Sequence, residues 1–78
     1  MALKAYVLIV ADPGKTKQVY GEIQKIQAIA EVHEVMGPYD IVVELNVDSL
    51  QEIPPLLSDH IRPIPGIQST TSLVTFPD

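Results

Sequence analysis

The chain has 78 residues and no cysteine, and its ten acidic and five basic side chains give a formal net charge of −5. Disulfides and thiolate metal sites are therefore excluded, and the acidic balance is the opposite of the basic surface that neutralises nucleic-acid phosphates. We expect one domain over residues 1–78 without direct nucleic-acid contacts, and a chain that buries only about 60% of its unfolded surface alone should gain stability by assembling.

The first predicted strand runs from Leu3 to Ala11, where strand-forming residues are followed by the turn signal Asp12-Pro13-Gly14. Its apolar run is far shorter than the roughly 20 residues needed to span a membrane. It is also too short for a signal-peptide core. We therefore expect a cytoplasmic protein that does not enter a membrane.

An amphipathic helix is predicted from Lys15 to Ala28, because Val19, Ile23 and Ile26 recur at helical spacing. Two strands of a hairpin follow, at Glu31 to Met36 and at Ile41 to Val47. The second of these alternates apolar and polar residues cleanly, which is typical of a strand with one buried face.

The second helix has an irregular pattern. Ser49 and Glu52 have the spacing of a capping box, whereas Pro54 and Pro55 remove two amide donors. We predict a kink or a restart, with a proline in a first turn where it is tolerated. A last strand, Ile67 to Phe76, is rich in β-branched residues.

The element order βαββαβ predicts an α+β fold. With right-handed crossovers, its simplest form is a ferredoxin-like sandwich, in which two helices cover one face of a four-stranded antiparallel sheet. The first strand is apolar on both sides, since Tyr6, Leu8 and Val10 alternate with the core residues. We therefore expect the uncovered sheet face, or a sheet edge, to form a dimer of the α/β-barrel type.

The sequence contains few candidates for catalysis or metal binding. His33 and His60 lack a second ligand at metal spacing, so we predict no metal site and no cofactor. The hydroxyl cluster Ser69 to Ser72 lacks a motif such as G-x-S-x-G, so we predict no catalytic residues. The hairpin tip Gly37-Pro38-Tyr39-Asp40 is compatible with purely local turn chemistry.

The whole chain resembles the effector-sensing domain of Lrp/AsnC-type transcriptional regulators, the RAM domain (regulation of amino acid metabolism). Three stretches carry the resemblance: the hairpin Glu34 to Asp40, the run Ile41-Val42-Val43, and Pro65-Gly66-Ile67-x-x-Thr70-x-Ser72. The family pattern most often has T-x-T in the last place, so Ser72 keeps the hydroxyl and loses the methyl group.

The resemblance implies a non-enzymatic module that binds a small effector, commonly an amino acid, at contacts between dimers. It also implies dimers that pair through their sheets and assemble into octamers or larger rings. Asp40 would accept a hydrogen bond from the effector's ammonium, and hydroxyl groups would donate and accept. The implied binding residues are Met36, Gly37, Pro38, Tyr39, Asp40, Thr70, Thr71 and Ser72.

Regulators of this family carry an N-terminal helix-turn-helix domain, for which no room exists before Leu3. We therefore expect a sensing module without a DNA-binding domain, which influences transcription by mixed assembly with a full-length regulator. Two other functions fit the pattern: a small dimeric ferredoxin-like enzyme of the monooxygenase or isomerase type, and an assembly domain without a ligand.

Overall fold

The computed structural model describes residues 3–76. Four strands and two helical segments follow one another in the predicted order βαββαβ. The elements are β1 (Leu3–Ala11), α1 (Thr16–Gln24), β2 (Ile29–Glu34), β3 (Ile41–Val47), a second helical segment (Leu50–Glu52, Ile53–Leu56 and Leu57–Ile61) and β4 (Ile67–Val74).

The strands form one antiparallel sheet in the order β2-β3-β1-β4. This order confirms the ferredoxin-like sandwich, with β1 and β3 in the centre and β2 and β4 at the edges. The central position of β1 places Tyr6, Leu8 and Val10 in the middle of the uncovered face, because alternate side chains of a strand point to opposite faces.

The core lies between the sheet and the two helical segments. One face of β1 and β3 packs against apolar residues of both segments, which confirms that the helices cover the same face. A residue buried on β1 is opposite a residue buried on β3, as Val7 is opposite Val43. The buried residues are Ala5, Val7, Ile9, Ala11, Val19, Ile23, Ile41, Val43, Leu45, Val47, Ile53, Leu57 and Ile61.

The first helix is shorter than predicted. Helix α1 ends at Gln24 and not at Ala28, because the chain tightens there: the Lys25 amide donates to the carbonyl of Glu22, three residues back. Because α1 ends early, strand β2 begins at Ile29, two residues before its predicted start at Glu31.

The two edge strands also differ from their predicted bounds. Strand β2 begins at Ile29, which pairs with Leu45, and it ends before Met36. Strand β4 ends at Val74 and not at Phe76. An edge strand has a partner on one side only, so fewer of its residues are buried. Its ends are therefore harder to recognise from the apolar pattern of the sequence than those of a central strand.

The second helical segment restarts as predicted. Its 3₁₀ turn is capped by Glu52, whose Oε2 accepts hydrogen bonds from the amides of Asp48 at 2.8 Å and Ser49 at 2.7 Å. The short helix α2 (Ile53–Leu56) follows with Pro54 and Pro55 in its first turn, where a missing amide donor is tolerated. A single π-helical turn, Leu57–Ile61, completes the segment.

No helix within the described residues 3–76 is long and apolar enough to cross a membrane. The same part of the chain contains no group of three or more histidine, cysteine or acidic residues that could hold a metal ion.

Candidate functional site

The β2–β3 hairpin ends in a four-residue loop, Met36 to Tyr39. It is closed by a hydrogen bond from the Val35 amide to the Asp40 carbonyl at 2.9 Å. The Met36 side chain is 97% exposed at the tip, whereas Tyr39 is half-buried. The loop therefore presents an apolar side chain to solvent and keeps its aromatic ring closer to the fold.

Asp40 connects this hairpin to the central strand β1. Its amide donates to the Ile9 carbonyl at 2.8 Å, and its Oδ2 accepts a hydrogen bond from the Ala11 amide, also at 2.8 Å. The partner is 29 residues away in the sequence, so Asp40 is more than a residue that closes its own turn. Within residues 3–76 no hydrogen bond is made to its other oxygen, Oδ1.

The predicted hydroxyl residues of β4 point to two different sides of the sheet. Thr70 is paired with Ile9 and Ser72 with Val7, so both lie on the helix-covered side. Thr71 is paired with Leu8 and lies on the uncovered side. The three hydroxyls therefore do not converge on one point within a single subunit.

The hairpin tip and the start of β4 lie at the same end of the sheet. Ala11, which donates to Asp40, is paired on its other side with Ile67. Strand β1 nevertheless separates β3 from β4, which places Asp40 and Thr70 about 10 Å apart at ordinary strand spacing. Ser72 lies two residues further from this end, or about 7 Å more.

A cleft of about 340 Å³ opens beside the start of β4. It is lined by Arg62, Ile67, Gln68, Ser69 and Thr70. Only Thr70 was among the predicted site residues. Sequence reasoning did not identify Arg62, because a lone arginine after a helix belongs to no motif, although it is the only arginine in the chain.

The uncovered sheet face carries an apolar strip. Tyr6, Leu8, Val10 and Val42 are half-buried there even in a single subunit, and Leu73, opposite Tyr6, is 51% exposed.

Acidic groups and an imidazole border this strip. Glu44 is paired with both Tyr6 and Glu31, and the Glu31 carboxylate lies 2.9 Å from the His33 ring. His33 is opposite Val42, so an imidazole does lie on this face, at its edge strand.

The sequence matches the family model of the Lrp/AsnC ligand binding domain over residues 4–77. An uncharacterised HTH-type transcriptional regulator of Pyrococcus furiosus is 36% identical over 75 residues, which are 92% of this chain and 50% of that protein. The chain thus spans about half the length of the curated relatives it matches.

Solved structures agree with this match. The crystal structure of a protein from Thermus thermophilus has a TM-score of 0.92 and 26% identity, with coverage of 97% of this chain and 95% of that chain. The structure of a feast or famine regulatory protein from M. tuberculosis, complexed with L-methionine, has a TM-score of 0.81 and 23% identity. The match covers 97% of this chain and 51% of that chain. The chain therefore belongs to the family of Lrp/AsnC ligand binding domains.

Proposed function

We propose that this domain binds an amino acid as a regulatory effector, with the hairpin tip and the start of β4 as the binding surface. The observation that carries the proposal is the position of Asp40. Its Oδ2 accepts from the Ala11 amide, and its Oδ1 accepts no hydrogen bond from residues 3–76, so the carboxylate is oriented before a ligand arrives. An ammonium group can then bind through a charge-assisted hydrogen bond with little side-chain ordering left to oppose it.

L-methionine is the first ligand to test, because the M. tuberculosis relative was solved in complex with it. The domain should be titrated with each amino acid by calorimetry and by thermal unfolding. A ligand at 100 times its dissociation constant stabilises the folded state by about 2.7 kcal/mol. A panel without any stabilising amino acid would contradict the proposal and favour an assembly domain without a ligand.

The decisive variant is Asp40→Asn. Asparagine keeps an oxygen that can accept from Ala11, but it lacks the charge that an ammonium group prefers. We expect the binding constant to fall about tenfold or more with little change in stability. Asp48→Asn is the matched control. Asp48 follows the other end of β3, so this variant makes the same substitution away from the site and should bind as the parent does.

Assembly through the uncovered sheet face is the second part of the proposed function. The strip of Tyr6, Leu8, Val10 and Val42 is continuous with the exposed Leu73, and apolar patches of this kind usually mark contact surfaces. Light scattering should give an even multiple of 8.6 kDa, with eight copies or more if dimers form a ring. A monomer would contradict this part.

The same face would allow mixed assembly with a full-length regulator that has an equivalent domain. Ligand binding to the mixed oligomer would then affect a DNA-binding partner. Co-expression with a tagged regulator tests this step. Recovery of homo-oligomers alone would contradict it.

We assign no catalytic role to the domain. The curated relatives are named as transcriptional regulators, and on the uncovered face His33 and Glu31 are exposed and bonded to each other. A substrate turned over by the parent and not by Glu44→Gln would overturn this assignment.

A further inference from the structure

The Arg62 cleft contains an unpaired guanidinium group. The ion pairs of residues 3–76 involve Lys17, Lys25 and His33, and no carboxylate oxygen of these residues lies within 4 Å of Arg62. Ten acidic residues are available in the chain. The only arginine of the chain nevertheless has no acidic partner among residues 3–76, and it lines the cleft.

The other groups in this cleft suit a small anion. A guanidinium presents a planar fork of donors that matches a carboxylate with two parallel hydrogen bonds. Thr70 adds a hydroxyl group on the helix-covered side and Gln68 adds an amide, so further hydrogen bonds are available to the same oxygens. Ser69 is paired with Val10, so its side chain lies on the other side of the sheet. Ile67 supplies an apolar wall beside them.

We propose that the Arg62 cleft binds the carboxylate of the effector. This inference rests on the proposed function, and it assigns the two charged ends of the amino acid to different places: Asp40 holds the ammonium and Arg62 holds the carboxylate. Without Arg62, nothing in the predicted set of site residues carries a positive charge to balance the carboxylate.

The position of the cleft has a consequence for the assembly. Asp40 lies on the β3 side of β1, and the cleft lies on the β4 side, so the backbones of Asp40 and Thr70 lie about 10 Å apart within one subunit. The amine and the carboxyl group of an α-amino acid share one carbon atom and need two charged partners close together. This favours an arrangement in which the Arg62 cleft of one subunit acts with the hairpin of another.

Calorimetric titration of the oligomer with L-methionine tests the assignment. Arg62→Gln should weaken binding about tenfold or more, because a charge-assisted hydrogen bond pair is lost. Arg62→Lys should recover only part of the affinity, since lysine keeps the charge and lacks the fork. Lys25→Gln, which removes an exposed cation just after α1 and away from the sheet, should bind as the parent does and controls for net charge.

Ligand variants separate the two ends of the molecule. Decarboxylated methionine, 3-(methylthio)propylamine, should bind the parent and Arg62→Gln equally. Inorganic phosphate distinguishes an amino acid site from a general anion site: phosphate binding to the parent more tightly than L-methionine would overturn the proposal. Unchanged L-methionine affinity in Arg62→Gln would overturn it while leaving the proposed function intact, whereas no amino acid binding to the parent would overturn both.

Subunit mixing tests the shared site directly. Arg62→Gln and Asp40→Asn oligomers should each bind L-methionine poorly. After dissociation and mixed reassembly, some contacts combine an intact Arg62 with an intact Asp40, and a fraction of tight sites should return. Failure of the mixture to regain any tight sites, with mixed oligomers confirmed by mass spectrometry, would contradict the division between subunits.

Discussion

The Asp40 carboxylate accepts a hydrogen bond from the Ala11 amide at 2.8 Å. The bond joins the end of the hairpin to the end of the central strand, in a partly buried position. Asp40 therefore has a structural role at the same place where the proposed ligand would bind, and experiments on this residue must separate the two roles.

Asp40→Ala should lower the free energy of unfolding by about 1–3 kcal/mol, because it leaves the amide of buried Ala11 without a partner. Asp40→Asn should cost much less, since its side-chain oxygen still accepts from Ala11. Urea denaturation of both variants measures the difference. Equal losses for the two would show that the charge, and not the hydrogen bond, stabilises this corner. Loss of ligand binding in Asp40→Ala alone is thus poor evidence for ligand contact.

The central strands could be predicted from the sequence to the residue. Leu3–Ala11 and Ile41–Val47 have the predicted bounds, because a buried face and flanking turn residues both mark their ends. The end of α1 could not be predicted in this way. Ile26 continues the helical spacing and contacts the core, yet it does so from a turn, so burial alone does not distinguish a helix from the turn after it.

The sequence predicts only those parts of the candidate site that depend on neighbouring residues. The turn residues of the hairpin indicate a reversal, but the bond from Asp40 to Ala11 joins positions 29 residues apart, and no local pattern encodes it. The split of Thr70 and Thr71 to opposite sides follows from strand alternation once the register is known. Arg62 has no periodicity or motif, and only the folded chain places it beside β4.

Gly66→Ala should destabilise the fold by about 1–3 kcal/mol. Gly66 has φ near +101°, which side-chain-bearing residues rarely adopt, and an added Cβ would lie 3.1 Å from atoms of both Lys15 and Val19. Gly14→Ala is the matched control: its φ is near +81°, but nothing lies within 4 Å of the added Cβ. It should carry only the backbone cost of about 1–2 kcal/mol. Thermal unfolding of both variants checks the order, and a smaller loss at Gly66 would show that α1 shifts to accommodate the methyl group.

Glu52→Ala should lower the free energy of unfolding by about 0.5–2 kcal/mol. One carboxylate oxygen of Glu52 caps the second helical segment by accepting hydrogen bonds from the amides of Asp48 and Ser49. Gln51→Ala, at the adjacent exposed position, should be close to neutral. Amide hydrogen exchange at Asp48 and Ser49 should accelerate in Glu52→Ala and not in Gln51→Ala. Unchanged protection would mean that solvent replaces the cap without loss.

Leu8→Asp should convert the assembly to monomers while leaving the subunit folded. Leu8 lies in the middle of the apolar strip, between Val42 on one side and Thr71 on the other, and a charge buried there without a partner is costly. In the free subunit the same side faces solvent, so the carboxylate can stay hydrated. Gln18→Asp, on the exposed side of α1, adds the same charge away from the sheet and should keep the parental mass. Light scattering after size exclusion gives the mass, and circular dichroism checks the fold. A folded Leu8→Asp variant of parental mass would place the subunit contact elsewhere, with the edge of β4 the next surface to test.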